Sequence, residues 1–334
     1  MLSEFDIIAR YFAPIAGEGG LGLLDDAALL QVPHGDQLVV TTDALVSGVH
    51  FFDDDPADTI AKKALGVNLS DLAAKGACPL GFVLSLILAE DVDEAWIALF
   101  AKGLGAYSID NVCPLLGGDT VSSRGPLTLS VTAFGSVPVG QMVLRNGARS
   151  GDILFVTGTI GDAAIGLRAR TAARSQQREP AQFALSPDHL QFLNDRYLVP
   201  RPRNAIASVL RKYASAAMDI SDGFVGDLTK MLSLAGLGAD VQLGDVPHSV
   251  AARAAIRNAP DLNETALTGG DDYEVVAAVP AISAERFLRD CLATGTQVTR
   301  VGTVLARGEA IRFLEDNGRE RHFAQGSYAH GVRN

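Results

Sequence analysis

Aspartates recur in one kind of place along this chain. Five segments carry them where an apolar run meets glycine, serine or threonine: LLDDAALL (Asp25, Asp26), VVTTDAL (Asp43), VNLSDLAAKGA (Asp71), PLLGGDT (Asp119) and AMDISDGF (Asp219, Asp222). Aspartate is poor in strands and costly to bury unpaired. One such position is an ordinary cap or turn. Five of them suggest convergence on a shared cation cluster. Thr41 and Thr42 add hydroxyls beside Asp43. Hard oxygen donors without a histidine or cysteine set suit Mg²⁺ better than Zn²⁺. His50 closes the same segment, LVVTTDALVSGVHF.

Each signal has a plainer reading beside it. Thr-Thr-Asp can simply end a strand and cap the next turn. Asn68 and Asp71 are three apart on an expected helix and share a face. Ser221 stands where strand passes to helix, so it is placed to cap. Backbone N–H groups at that helix start could hold a phosphate. The run Gly17-Glu18-Gly19-Gly20-Leu21-Gly22 matches G-x-G-x-x-G. A dinucleotide site needs a strand before those glycines and a helix after them. Here a helical pattern precedes and the strand-like DDAALL comes after, so the glycines read as a flexible loop. Neither a Walker A sequence nor the protein-kinase set occurs.

These residues need elements to position them. Strand-like runs cover 38–42, 81–88 and 127–134, and helical runs 56–76 and 92–106. The N-terminal MLSEFDIIARYF reads as an amphipathic helix with Ser3 as cap and Asp6 three residues on. The polar segment RNGARSGD (145–152) is a joint. Beyond it come a strand at 153–156 and a proline-stiffened entry into a helix at 204–213. Further strands are expected near Ala217, Val241, Val275 and Val301, and helices at 223–234 and 284–293. Residues 168–182 lack a clear period and read as a loop or surface helix. The fold class is α/β of the α+β type. Two mixed halves are expected, 1–148 and 149–334.

The chain has 334 residues, 48% of them hydrophobic, and a formal net charge of -11. That length fits two domains. The charge argues against nonspecific binding to nucleic acid or anionic membrane. It also means that any anionic ligand needs cations between itself and the protein. Cys78, Cys113 and Cys291 are scattered, as expected of reduced thiols. No apolar stretch reaches 18 residues and no signal peptide is evident. The expected location is cytoplasmic.

The set LLDDAALL, VVTTDALVSGVHF, KKALGVNLSDLAAKGA, PLLGGDT, LRNGARSGD, FVTGTIGDAA, DISDGFVGDL and GGDDYEV resembles the thiamine-monophosphate kinases. That family shares a superfamily with aminoimidazole ribonucleotide synthetase, selenophosphate synthetase and the hydrogenase-maturation dehydratase. The resemblance implies ATP-dependent phosphorylation of thiamine monophosphate to thiamine diphosphate, with several Mg²⁺ ions. It also implies a homodimer assembled through the N-terminal sheet. It places Asp26, Thr41, Thr42, Asp43, Asp71, Asp119, Asp219 and Asp222 at metal positions. Gly118, Asp119, Arg145 and Ser221 fall near ATP, and His50, Asp271 and Tyr328 near the thiamine substrate. Leu24 replaces a common glycine, and Asp271 a usual glutamate. The family's aromatic before G-G-D-T falls on Asn111, with Tyr107 one turn earlier. No reactive cysteine precedes Cys78, unlike selenophosphate synthetase, and the chain ends Val-Arg-Asn rather than in the terminal cysteine of the hydrogenase-maturation enzyme. No side-chain base is implied, because the acceptor phosphate is already anionic. Direct in-line transfer is expected.

Overall fold

The computed structural model describes residues 3–175 and 185–328. The chain divides into two compact units, residues 1–72 with 77–142, and residues 73–76 with 143–334. The division falls just before the 145–152 joint. Both units mix helices and strands.

The N-terminus bears out the capping reading. Helix α1 (Glu4–Ile7) carries a complete capping box, Ser3 receiving the Asp6 N–H while the Asp6 carboxylate receives the Ser3 N–H. The next turn widens into a π-helical segment, Ile8–Phe12.

The first unit is built on four strands: β1 (Asp36–Val46), β2 (Cys78–Leu88), β3 (Leu115–Ser122) and β4 (Thr128–Pro138). Their order across the sheet is β1-β4-β2-β3, antiparallel except for the β2/β3 pair. Helices α2 (Ala57–Ala74) and α3 (Glu94–Asp110) belong to the connections. Leu65, Leu69 and Leu72 of α2 are fully buried, as are Phe82, Phe100 and Leu129. α2 is buried on nearly every side, which explains why its sequence shows so little amphipathic contrast. β1 alternates from Leu38 to Leu45. Val39 and Leu45 are buried, while Leu38 and Val40 are 43% and 54% exposed on the opposite face.

The second unit carries six strands: β5 (Asp152–Thr157), β6 (Ala216–Ile220), β7 (Leu237–Gln242), β8 (Glu274–Pro280), β9 (Val298–Arg307) and β10 (Ile311–Leu314), in the order β10-β7-β9-β5-β8-β6. β5 is buried throughout, because both faces of its sheet are covered. Leu154 and Val156 join one core cluster with α7 (Phe224–Ala235). Ile153 and Phe155 join the other with α6 (Ala207–Tyr213) and α10 (Ala284–Ala293). Helices α4 (Asp162–Arg174), α5 (Pro187–Leu198), α8 (Val250–Asn258) and α9 (Leu262–Thr268) share a third cluster.

Several expectations change. The segment DDAALL forms no strand, and Gly17–Gly22 lie in or beside a distorted 3-10 turn, Glu18–Leu23. β3, α5, α8, α9 and β10 have no counterpart among the elements expected from sequence pattern. Residues 168–174 finish α4, and 176–182 lie outside the described residues.

Candidate functional site

In the first unit, strand alternation sorts the residues of Thr-Thr-Asp. Thr41 and Asp43 share the inward face of β1 with Val39 and Leu45. The Thr41 hydroxyl meets the carboxylate of Asp71 on α2. Thr42 points the other way. Its hydroxyl lies 2.9 Å from that of Thr132 and 3.2 Å from the Val131 carbonyl oxygen. The Thr42 side chain therefore does not join Thr41, Asp43 and Asp71. That corrects the picture of three adjacent oxygens aimed at one cation.

Asp119 is separated from Asp43 in two ways. β1 and β3 are the two edges of the sheet, about 14 Å apart at three strand spacings of about 4.8 Å. Asp119 also lies in the cross-strand row of Ser85, Ser130 and Ala44, on the face opposite Asp43. Within this unit the aspartates thus form two groups rather than one. The second group lines a cleft of about 440 Å³, where Asp25 and Asp26 face Gly117, Gly118 and Asp119. Gly118 permits the close pairing of β3 with β2, since a Cβ there would stand 1.9 Å from the Leu84 carbonyl oxygen.

His50 is fixed by its own turn. The Val46 N–H donates to His50 Nδ1 at 3.0 Å, and the His50 N–H returns to the Val46 carbonyl at 2.9 Å. With Nδ1 accepting, the ring proton sits on Nε2, so His50 offers a neutral donor. The buried Lys63 ammonium, on α2, donates to the His50 carbonyl at 3.0 Å. Deeper in α2, Asn68 is wholly buried, and among the described residues its Oδ1 has no hydrogen-bond partner.

The second unit gathers its candidates. Buried Asp219 is the last residue but one of β6, and Ser221 and Asp222 follow the strand. The Asp271 N–H donates to the Ser221 carbonyl (2.9 Å), the Tyr273 N–H to Ile220 (2.9 Å) and the Tyr328 N–H to Asp222 (3.0 Å). Asp271 and Tyr328 therefore flank the 220–222 segment on their own backbones. Gly270 allows this approach, because a Cβ would lie 2.3 Å from the Ser221 carbonyl oxygen. Asp271 and Tyr273 adopt positive φ values of 72° and 50°. Arg145 stands exposed in the turn ahead of β5.

Two sequence expectations fail here. Ser221 does not cap α7; its N-cap is Gly223, at φ 133° with no side-chain cap bond. Three of the N–H groups leading into α7, where phosphate was expected, are already taken. Asp227 turns back from within α7, and its Oδ2 accepts from the N–H groups of Ser221 (3.1 Å), Asp222 (2.9 Å) and Gly223 (3.1 Å). The Lys230 ammonium bridges Asp222 Oδ2 (2.7 Å) and Asp227 Oδ1 (3.0 Å).

A buried ionic network supports the strained turn. Glu274 is wholly buried and receives Arg196 Nη2 (3.0 Å), Arg203 Nε (2.6 Å) and the Thr157 hydroxyl (2.6 Å). Arg196 also donates to the Asp272 carbonyl oxygen at 3.0 Å. Asp272 Oδ2 accepts the Gly161 N–H at 2.7 Å. Burial pushes the Asp272 carboxyl well above the usual carboxylate range, despite that N–H. Away from the site, burial raises the Cys113 and Cys291 thiols to about 12.

Among the described residues no three His, Cys, Asp or Glu side chains form a ready cation cage. The donor chemistry nevertheless fits hard divalent ions. Thr41 with Asp71 offers only oxygens, and Asp222 already holds a cation, the Lys230 ammonium.

Residues 24–137 match the family described as AIR synthase related protein, N-terminal domain, and residues 149–314 its C-terminal domain. The thiamine-monophosphate kinase of Salmonella typhimurium is 40% identical over 319 residues, covering 94% of each chain. That of Escherichia coli K12 is 39% identical over 317 residues, again 94% of each. The chain belongs to the thiamine-monophosphate kinase family. A solved thiamine-monophosphate kinase from Stenotrophomonas maltophilia superposes with a TM-score of 0.78 at 38% identity, covering 87% of this chain and 89% of that one. A ThiL structure complexed with AMPPCP and TMP gives 0.76 at 28% identity, covering 98% and 97%. In this member of the thiamine-monophosphate kinase family, sequence pattern does not single out Lys63, Arg196, Asp227 or Lys230 beside the site. Only Lys230 leaves a legible trace, standing three residues after Asp227 on one helix face.

Proposed function

We propose that this chain transfers the γ-phosphoryl group of ATP to thiamine monophosphate, giving thiamine diphosphate and ADP in thiamine diphosphate biosynthesis. The observation that carries this is the match to curated thiamine-monophosphate kinases along 94% of both chains at about 40% identity. The second unit supports it by drawing Asp219, Ser221, Asp222, Asp271 and Tyr328 around one strand end.

The chemistry asks for little covalent help. A phosphomonoester carries about -1.5 to -2 charge near neutral pH. The acceptor is therefore a competent nucleophile, and no side-chain base is assigned. Repulsion between two phosphate groups is the obstacle. Bound Mg²⁺ would supply charge neutralisation and alignment. Asp26, Thr41, Asp43, Asp71, Asp119, Asp219 and Asp222 are the proposed holders of several such ions, with Thr42 restricted by its orientation. Gly118, Asp119, Arg145 and Ser221 are assigned to ATP. His50, as an Nε2–H donor, and Asp271 and Tyr328 are assigned to thiamine monophosphate. Transfer is direct and in line.

The exposed apolar face of β1, with Leu38 and Val40, is the proposed homodimer contact. Light scattering at assay concentration checks it. No helix of the described residues is long and apolar enough to cross a membrane, and a cytoplasmic location goes with the biosynthetic role. The decisive assay supplies ATP, Mg²⁺ and thiamine monophosphate, and measures thiamine diphosphate and ADP together. Equal formation of both is expected. ADP without thiamine diphosphate, or no turnover, refutes the assignment.

A further inference from the structure

The Lys230 ammonium already occupies one carboxylate oxygen of Asp222, Oδ2. Three carboxylates, Asp219, Asp222 and Asp227, fall within nine residues. Asp227 is fully engaged on one oxygen by three backbone N–H groups, which fixes its place. Its other oxygen lies 3.0 Å from Lys230, and Asp222 Oδ2 lies 2.7 Å away. The Asp227 side chain is 1% exposed, whereas those of Asp222 and Lys230 are 39% and 43% exposed. One partner is thus rigid and buried, and the other is open to solvent and able to change ligand.

We propose that Lys230 is a built-in counter-cation for Asp222, displaced when a divalent ion takes that carboxylate. The inference rests on the reading of Asp222 as a metal-binding residue. Before the ion arrives, the ammonium offsets repulsion in the 219–227 segment and holds the Asp222 side chain in one orientation. When the ion arrives, Lys230 gives up Asp222 and keeps Asp227. The exchange makes the ion compete with a tethered charge, so Lys230 weakens cation affinity at this position. A half-exposed ion pair of this kind changes affinity by roughly two- to fivefold. Salt screens part of that effect.

Titration of the full-length chain with Mn²⁺, following the loss of the free-ion electron paramagnetic resonance signal, tests this without turnover. Lys230→Met and Lys230→Gln are expected to bind Mn²⁺ two- to fivefold more tightly at the site that Asp222→Asn weakens, with a smaller gain at high salt. Lys230→Arg, which keeps the charge, is expected to show no gain. The double variant Asp222→Asn with Lys230→Met is expected to match Asp222→Asn alone. If Asp222→Asn weakens a site but Lys230→Met leaves it unchanged or looser, the counter-cation role is wrong and the metal reading stands. If Asp222→Asn leaves every site unchanged, the metal reading of Asp222 fails, and the counter-cation proposal with it. Circular dichroism confirms folding, which the partly exposed position of Lys230 favours.

Discussion

Replacing Glu274 by Gln tests how the chain holds its strained turn. Glu274 is wholly buried and is the shared acceptor for Arg196, which is 3% exposed, and Arg203. Gln keeps the volume but removes the charge and turns an amide N–H₂ toward donors. Two guanidinium groups then lose their common counter-charge in a dry site. Breaking a buried pair from one side costs about 3–5 kcal/mol. At roughly 2–4 °C per kcal/mol for a body of 150–250 residues, the melting temperature falls by roughly 6–20 °C. The damage also reaches the site. Arg196 links Glu274 to the Asp272 carbonyl oxygen, directly beside Asp271. Positive φ at Asp271 and Tyr273 costs of order 1–3 kcal/mol each and persists only while the surroundings impose it. Scanning calorimetry, with steady-state kinetics well below the new melting temperature, is the assay. The KM for thiamine monophosphate is expected to rise more than that for ATP. A melting temperature within about 2 °C of the parent, less than a single kcal/mol would produce, with both KM values unchanged, refutes the reasoning.

Asp71→Asn is expected to raise the Mg²⁺ concentration for half-maximal turnover at least tenfold in a folded protein. An unchanged Mg²⁺ dependence would remove Asp71 from the metal set. Tyr328→Ala is expected to raise KM for thiamine monophosphate several-fold with little change for ATP, and equal shifts would contradict its placement. Asp272 has a folded pKa above its unfolded value, so its contribution is full below the unfolded pKa and is lost as pH rises toward the folded one. Asp272→Asn cannot ionise yet can still accept the Gly161 N–H. Its stability relative to the parent, from urea unfolding, is expected to improve from pH 4 to pH 7; a constant or worsening difference counts against a protonated Asp272.

The fold was most legible where residues had one job. β1, β2 and β4 follow alternation or apolar runs, and α10 falls on its expected residues, 284–293. β3 was hidden because Gly117-Gly118 weakens a strand signal. Gly118 answers to the approach of Leu84, a partner 34 positions earlier that local pattern cannot display. α9 has seven residues and no side-chain cap bond, so its support is tertiary. DDAALL runs into apolar residues as a strand does, but among the described residues it pairs with no strand. Instead the Leu29 N–H returns to the Gly19 carbonyl at 2.8 Å.

The candidate site was legible as a set of residue types and only partly as an arrangement. Period-two alternation already separates Thr42 from Thr41 and Asp43, so that correction was available from the sequence. The distance from Asp43 to Asp119 was not, because it depends on β4 and β2 lying between their strands. The Asp227 carboxylate was missed for a different reason. Capping rules look forward from a cap to N–H groups two or three residues on, whereas Asp227 reaches back from the first turn of α7. That reversal turns a supposed phosphate cradle into an internal anchor. It also recasts the problem posed by a net charge of -11. Metal ions need not supply all the compensation near the site, since the chain brings its own cations to particular oxygens. Lys63 holds the carbonyl of His50, Arg196 and Arg203 share Glu274, and Lys230 spans Asp222 and Asp227. The first three cations stabilise geometry around buried atoms. Lys230 alone in this group pairs with a carboxylate open enough to exchange partners, and so it is the one whose loss should change how the protein takes up a metal ion.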